Sequence, residues 1–301
     1  MRLTTHRLRN QGATLLHAVA QCADHASAWT ADLSRTARFL QGYLSFHPRS
    51  ADLFISSYPR SGTTWMQYIV HVLVNDGDTG FEHISQVVPW FERNLSLGRV
   101  CAEDYATLGD PRVFKSHLPL RWLPNGARYI YVERDGRDVA LSYFHFYRSH
   151  LGYTASFEDF FESFLQGRLQ YGSWFKHRAG FHQLAHHPRL LLVRYEDLLT
   201  NLGREMGRIA RFCGLQLTPE RLEFLASKCS FAQMKSQQQR FDHTAGERLA
   251  QPLGSGQFIR QGTSGEYRTA LSAPQQVAFE TQQTAALIRP DLELNLPAFL
   301  H

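Results

Sequence analysis

One nine-residue stretch, Ser57-Tyr58-Pro59-Arg60-Ser61-Gly62-Thr63-Thr64-Trp65, collects the groups that hold an anion. Arg60 brings a full positive charge, and Ser61, Thr63 and Thr64 bring hydroxyl donors. Pro59 and Gly62 punctuate a tight turn. A turn that joins a strand to a helix aims several backbone N–H groups and the positive end of the helix dipole at one point. The nucleotide-binding P-loop pattern G-x-x-x-x-G-K-[ST] is not met, because no Gly-Lys-Ser/Thr occurs here. Taken alone, S-G-T-T reads equally as an ordinary strand-to-helix turn. A second pair, Lys115 and His117, offers a cation and a base two residues apart.

These residues need elements to position them. Leu53-Phe54-Ile55-Ser56 is a short apolar run and reads as a buried strand. Trp65 to Val74 is apolar except for Gln67, Tyr68 and His71, and reads as a largely buried helix. Arg112-Val113-Phe114 reads as a strand that delivers Lys115 and His117 at its carboxyl end, with Pro119 and Pro124 barring a helix. Arg128 to Val132 is the next strand, and Asp135 caps the helix that follows. Leu190 to Val193 is the last strand and ends at Arg194-Tyr195. Helical spacing is expected over residues 10–46, from a capping box at Ser156 to Asp159, from Thr218-Pro219 through 235, and from Pro274 to Ile288. Residues 81–110 read as irregular, with Pro89, Trp90 and Phe91 clustered. Residues 236–257 are polar with no clean period, which suits a lid or acceptor loop. In open α/β sheets ligands bind at the carboxyl edge of the strands, where the loop after residue 56 and Lys115 and His117 would meet.

Several segments, in order, resemble the cytosolic-type sulfotransferases. Y-P-R-S-G-T-T-W at Tyr58–Trp65 is close to that family's Y-P-K-S-G-T-T-W, which holds the phosphosulfate of 3′-phosphoadenosine-5′-phosphosulfate (PAPS). F-K-S-H-L-P-L at Phe114–Leu120 resembles F-K-T-H-L-P-L, whose His is the catalytic base. The strand and helix from Tyr129 to Tyr147 resemble the 3′-phosphate segment, and Arg134 and Ser142 match its two ligands. Y-G-S-W at Tyr171–Trp174 and R-Y-E-D-L at Arg194–Leu198 also match, with Tyr195 in the place of a residue that contacts the adenine. C-S-F-A-Q-M-K resembles T-S-F-x-x-M-K of the adenosine pocket, which implies roles there for Cys229, Phe231 and Met234. Arg260, Gln261 and Gly262 resemble the start of R-K-G-x-x-G-D-W, with Gln261 replacing the Lys.

The resemblance spans roughly residues 38–280 and implies an enzyme. It implies one α/β domain with a central parallel sheet flanked by helices and a P-loop-like loop for the phosphosulfate. A helical segment over residues 1–50 is expected to pack on a domain covering 51–301. His117 is expected as base, with Lys115 and Arg60 as catalytic cations. Arg60, Ser61, Gly62, Thr63, Thr64 and Trp65 are expected at the 5′ end of PAPS, Trp65 stacking on the adenine. Arg134, Ser142, Arg260, Gln261 and Gly262 are expected at the 3′-phosphate. The acceptor would be a small molecule with a hydroxyl or amine. Trp90, Phe91, Phe144, Phe146 and Phe241 are candidate walls for it. The family's dimer signature keeps only Arg268 and the Thr-like Ser272, so that dimer mode is not implied.

Other features bound the reading. The net charge is +5 and the sequence pI about 9.1, which suits an anionic ligand. The basic residues are dispersed, against a nucleic-acid surface. Cys22, Cys101, Cys213 and Cys229 are far apart, against a disulfide framework or a zinc site and for a reducing, cytoplasmic setting. His177, His182, His186 and His187 cluster with no acidic or cysteine partner beside them, and no metal is expected. No apolar run approaches the length of a membrane span. Arg2, Arg7 and Arg9 in an acid-free start fit a basic surface helix better than a transit peptide. A P-loop-like small-molecule kinase is the alternative activity, and a nucleotide-sensing module without turnover is a third reading.

Overall fold

The computed structural model describes residues 32–101, 103–241 and 259–288. Four strands form one sheet: β1 (Leu53–Ser56), β2 (Val113–Ser116), β3 (Arg128–Glu133) and β4 (Leu190–Arg194). Their order is β2-β1-β3-β4 and every pair is parallel. Side chains alternate between the two faces of each strand. Leu53, Ile55, Val113, Ile130 and Val132 therefore meet Met66, Ile69 and Ile209 on one face. Phe54, Phe114, Tyr129 and Tyr131 meet Phe39, Phe46, Phe91 and Phe181 on the other. Both layers are buried, which is why these strands read as near-continuous apolar runs. Phe39 comes from a helix over residues 32–45, so this part of the N-terminal stretch contributes to the core. The remainder of the expected N-terminal helix, residues 10–31, lies outside the described residues, as does most of the 236–257 loop.

A third apolar cluster joins helix Gly136–His150 to helix Phe157–Leu165, with Trp174 and Phe279 packed against both. Both helix starts behave as their sequences predict. Asp135 accepts from the Arg137 N–H at 2.9 Å, and Ser156 and Asp159 form a capping box. Thr218 caps Pro219–Lys228 with Pro at the first helical position.

Several boundaries differ from expectation. The helix after β1 spans Thr63–Val74, two residues earlier than the apolar run suggests, so Thr63 and Thr64 lie in its opening turn. Gly62 precedes it with φ 98°, a left-handed conformation that glycine adopts without steric cost. β2 extends through Lys115 and Ser116 because these residues pair with Ile55 and Ser56 of β1, and on the other side the Lys115 N–H bonds Pro89 O at 2.9 Å beside a further parallel bridge to Trp90. Residues 81–110 are not irregular. They hold helices Ile84–Val87 and Phe91–Ser96 and a 3₁₀ turn Glu103–Thr107, each too short to show a period. The helix from Pro219 stops at Lys228, and Ser230 caps a separate helix Phe231–Ser236.

Candidate active site

Because all four strands are parallel, their carboxyl ends lie along one edge, and β1 sits between β2 and β3. Neighbouring strands are about 4.8 Å apart. The loop after β1, Lys115 and His117 from β2, Arg134 after β3 and Tyr195 after β4 are thereby brought together. One cavity is lined by residues from all four of these segments. Its basic residues are Arg60, Arg93, Lys115, Arg134 and Arg260, and among the described residues no Asp or Glu lines it.

The loop is held by its own polar groups. Ser57 and Thr63 share a short hydroxyl–hydroxyl bond. The Ser61 hydroxyl is buried and has no hydrogen-bond partner among the described residues. The first N–H groups of helix Thr63–Val74 have no intrahelical acceptor, as at any helix start. Arg60 Nε lies 3.3 Å from Ser142 Oγ, and its guanidinium stands over the Phe146 ring at 5.1 Å. Burial, reinforced by the nearby Arg134 charge, lowers the Arg60 pKa to about 10. Arg134 donates to the carbonyls of Arg60 (3.2 Å) and Thr263 (2.9 Å) and stacks on Tyr195, but its buried Nε has no partner among the described residues. Ser61 does not line the cavity; the orphaned Arg134 nitrogen and a cationic lining with no acid among the described residues fit a bound polyanion.

His117 is oriented from several sides. Its Nδ1 lies 2.8 Å from Ser57 O, and a carbonyl only accepts, so Nδ1 carries the proton and Nε2 keeps its lone pair. Its ring meets Trp90 at 5.1 Å and Tyr171 at 5.4 Å, both edge-on. Burial pushes its pKa well below the ordinary imidazole value, and the adjacent Lys115 charge adds to this. Lys115 is buried too, with Nζ 3.7 Å from the Trp90 ring centroid, and its pKa is also lowered well below the usual ammonium range by burial. A neutral base and a poorly solvated cation thus face one cavity.

The residues expected at the adenosine form an aromatic group. Trp65 meets Tyr195 at 5.8 Å and Phe231 at 5.7 Å, both edge-on, and its indole N–H donates to Cys229 O at 2.7 Å. Tyr195 and Phe231 pack on glycines: a Cβ at Gly62 would sit 2.5 Å from Tyr195, and one at Gly262 only 2.0 Å from Phe231. Trp65, Phe231, Met234, Gln261, Gly262 and Ser142 all reach the cavity wall. Cys229 does not. Its side chain is fully buried in the core beside the sheet, so it contributes a backbone carbonyl and not a thiol. Of the five aromatic candidates for the acceptor, only Trp90 and Phe146 line the cavity. Phe91, Phe144 and Phe241 are buried in three separate apolar clusters. Arg260 is engaged by Glu266, with Nη1 donating to its carboxylate at 2.8 Å.

The match to known proteins agrees with this geometry. Residues 50–284 match the family model described as the sulfotransferase domain. The chain belongs to the sulfotransferase domain family. It is 32% identical over 254 residues to Sulfotransferase 1A1 of Canis lupus familiaris, covering 81% of this chain and 86% of that protein. Sulfotransferase 1B1 of the same organism is 32% identical over 247 residues, covering 78% and 83%. Among solved structures, retinol dehydratase in complex with androsterone and inactive cofactor PAP superposes with a TM-score of 0.73 at 25% identity, covering 87% of this chain and 88% of that one. The protein is accordingly a sulfotransferase with an α/β fold, and the kinase alternative is not favoured.

Further residues of this sulfotransferase site had no sequence signal of their own. Glu92 is buried, and its Oε1 accepts from the Trp90 indole at 2.6 Å and the His117 N–H at 2.8 Å. Burial raises its pKa. His177 Nε2 donates to His117 O at 3.2 Å, while its Nδ1 receives the Tyr131 hydroxyl at 3.1 Å. His182 pairs with Glu133 at 2.6 Å, an acidic neighbour that lies 49 residues away in sequence and was not expected. Asp138 accepts from the N–H groups of Gly265 (2.6 Å) and Tyr267 (3.1 Å), and so pins the segment that follows Arg260–Gly262. Its chain position suggested only a helix first turn. No described helix is long and apolar enough to cross a membrane.

Proposed function

We propose that this sulfotransferase moves the sulfuryl group of PAPS to the hydroxyl or amine of a small molecule, with His117 as general base. The observation that carries this reading is the hydrogen bond from His117 Nδ1 to Ser57 O, which leaves Nε2 as a proton acceptor beside Lys115 and the 57–65 loop. The PAP bound to retinol dehydratase supports the choice of nucleotide.

His117 Nε2 takes the acceptor proton as the acceptor oxygen or nitrogen bonds to sulfur. The bond between sulfur and the 5′-phosphate oxygen breaks, and its electron pair stays on that oxygen. The products are the sulfated acceptor, 3′,5′-bisphosphoadenosine and a proton on His117. Lys115 and Arg60 offset the charge that grows on the leaving oxygen, so positioning and electrostatics supply most of the acceleration. Arg134, Ser142 and Arg260 hold the 3′-phosphate, and Trp65, Tyr195, Phe231 and Met234 hold the adenosine. Gln261 supplies no charge there, and Arg260 must exchange Glu266 for phosphate. We read no resident metal into the reaction, residues 1–50 as part of the same domain, and the cytoplasm as the setting. The described cysteines Cys101, Cys213 and Cys229 are free thiols, which supports that setting.

The test is turnover of His117→Ala at saturating PAPS and acceptor in the presence of a chelator, beside calorimetric binding of the bisphosphate. General-base catalysis contributes roughly 10²–10⁴-fold, and a loss of that size is expected with binding retained. Wild-type turnover in the variant would remove His117 from the reaction. Loss of wild-type turnover on chelation would overturn the metal-free reading.

A further inference from the structure

We propose that Glu92 is a positioning residue of the transfer, whose carboxylate acts through the Trp90 indole and the His117 N–H to keep Lys115 cationic and His117 aimed into the cavity. What Lys115 and His117 do rests on the sulfotransferase reading, whereas the contacts do not. Glu92 comes from helix Phe91–Ser96 and does not line the cavity, so it acts only through its neighbours.

Glu92 Oε1 accepts from the Trp90 indole N–H at 2.6 Å and from the His117 backbone N–H at 2.8 Å. Lys115 stands on the face of that same indole, with Nζ 3.7 Å from the ring centroid. The ring thus lies between a carboxylate at its N–H edge and an ammonium over its face. A carboxylate that accepts the N–H polarises the indole, and its more negative face then holds a cation more tightly. On the His117 side, the same oxygen holds the backbone while Ser57 O takes Nδ1, so the residue is fixed at both ends. Glu92, Lys115 and His117 are all buried, where a charge needs a counter-charge to persist. The charged and titratable groups facing Lys115 are Glu92 and Arg93 from one helix, Arg60 from the loop after β1, and His117. Glu92 is the anion of this group. Burial and the two arginines draw the proton off Lys115, and Glu92 opposes them. Burial also raises the Glu92 pKa, and the bonds from His117, Trp90 and Ser116 oppose that by favouring the carboxylate. Glu92 further raises the pKa of the Tyr105 and Tyr171 hydroxyls, which burial already holds protonated.

The test compares E92Q with E92D. Glutamine keeps an oxygen of the same reach that can accept both bonds, so the charge is what it loses; aspartate keeps the charge on a shorter stem. One readout is the pH profile of kcat/KM for PAPS with an alcohol acceptor. The other is the ionisation of Lys115 itself in the ligand-free protein. The chain has only the four lysines Lys115, Lys176, Lys228 and Lys235, so NMR of ¹³C-methylated lysines can follow each one, with Lys115 assigned by its loss in K115R. In E92Q the Lys115 titration and the basic limb of the profile should both move to lower pH by about one pH unit, as the loss of a nearby opposite charge predicts. E92D should keep both near their wild-type pH even where its turnover falls. A Lys115 titration unmoved in E92Q, with a uniform loss of rate, would overturn the inference, because a merely structural Glu92 predicts that result. An E92D shifted as far as E92Q would overturn it too. If E92Q does not fold, W90F keeps a ring face for Lys115 but removes the N–H that meets Glu92; its Lys115 should titrate at lower pH, and an unmoved titration would again overturn the inference. Absence of wild-type turnover, with Lys115 titrating as expected, would instead count against the sulfotransferase reading.

Discussion

Burial lowers the pKa of both His117 and Lys115, and the two shifts act on opposite limbs of a pH profile. His117 must be neutral to accept a proton, so activity rises as pH increases through its lowered pKa. Lys115 must be protonated to offset leaving-group charge, so activity falls as pH increases through its own lowered pKa. A profile of kcat/KM for the nucleotide, which reports the free enzyme, should therefore be a bell with both limbs on the acid side of ordinary His and Lys values. An alcohol acceptor is the right probe, because a phenol ionises unaided. An acid limb at or above 6.5, the ordinary imidazole value, would contradict the buried neutral base. Glu92 belongs to the same group of residues. Its carboxylate holds the backbone of one catalytic candidate and the indole that carries the other.

At the level of elements, the segment after Arg260 is tied to helix Gly136–His150 through Asp138 and to β3 through Arg134. Asp138→Asn keeps an acceptor but removes its charge, and bonds to charged groups contribute about 1.5–3 kcal/mol against ~1 for neutral ones. Bisphosphate affinity should fall roughly tenfold, with turnover at saturating PAPS little changed. Equal affinity by calorimetry would show that the clasp does not shape the phosphate grip. The same contacts mark what the chain could and could not disclose. The strands and the 57–65 loop were legible because each is a local pattern: an apolar run closed by turn residues. Lys115, His117 and Arg134 were legible as residues at strand ends. Glu92, His177 and Asp138 were not, because their partners lie 25, 60 and 127 residues away. The short helices of residues 81–110 were missed because four to six residues complete barely one turn. Cys229 matched a motif by position, yet its neighbours turn the thiol into the core.

For the molecule as a whole, the parallel order β2-β1-β3-β4 makes the site a property of the sheet and not of any one segment. Residues from the ends of all four strands line one cavity, so a ligand bound there should brace the whole domain. A ligand at one hundred times its Kd stabilises by about 2.7 kcal/mol. At about 2.1 cal/mol/K of unfolding entropy per residue, a chain of 301 residues would shift by roughly 4 °C in Tm. The 3′,5′-bisphosphate should reach this shift at low concentration, and AMP should need far more, since it leaves Arg134, Ser142 and Arg260 without a phosphate. Equal shifts at equal concentration in a thermal melt would remove these three residues from the 3′-phosphate assignment.

Two of the four described tryptophans, Trp65 and Trp90, stand in the wall of the cavity, and they stand in different company. Trp65 lies among Tyr195 and Phe231 with its N–H on Cys229 O, whereas Trp90 lies between the Lys115 and Arg93 cations and the His117 ring. Indole emission is sensitive to neighbouring charge and polarity. Under the proposed assignment the chain carries an optical probe for each half of its reaction, one reading the nucleotide and the other the acceptor. Replacing either indole by phenylalanine would separate the two signals, and the order in which the ligands enter would become visible in light alone.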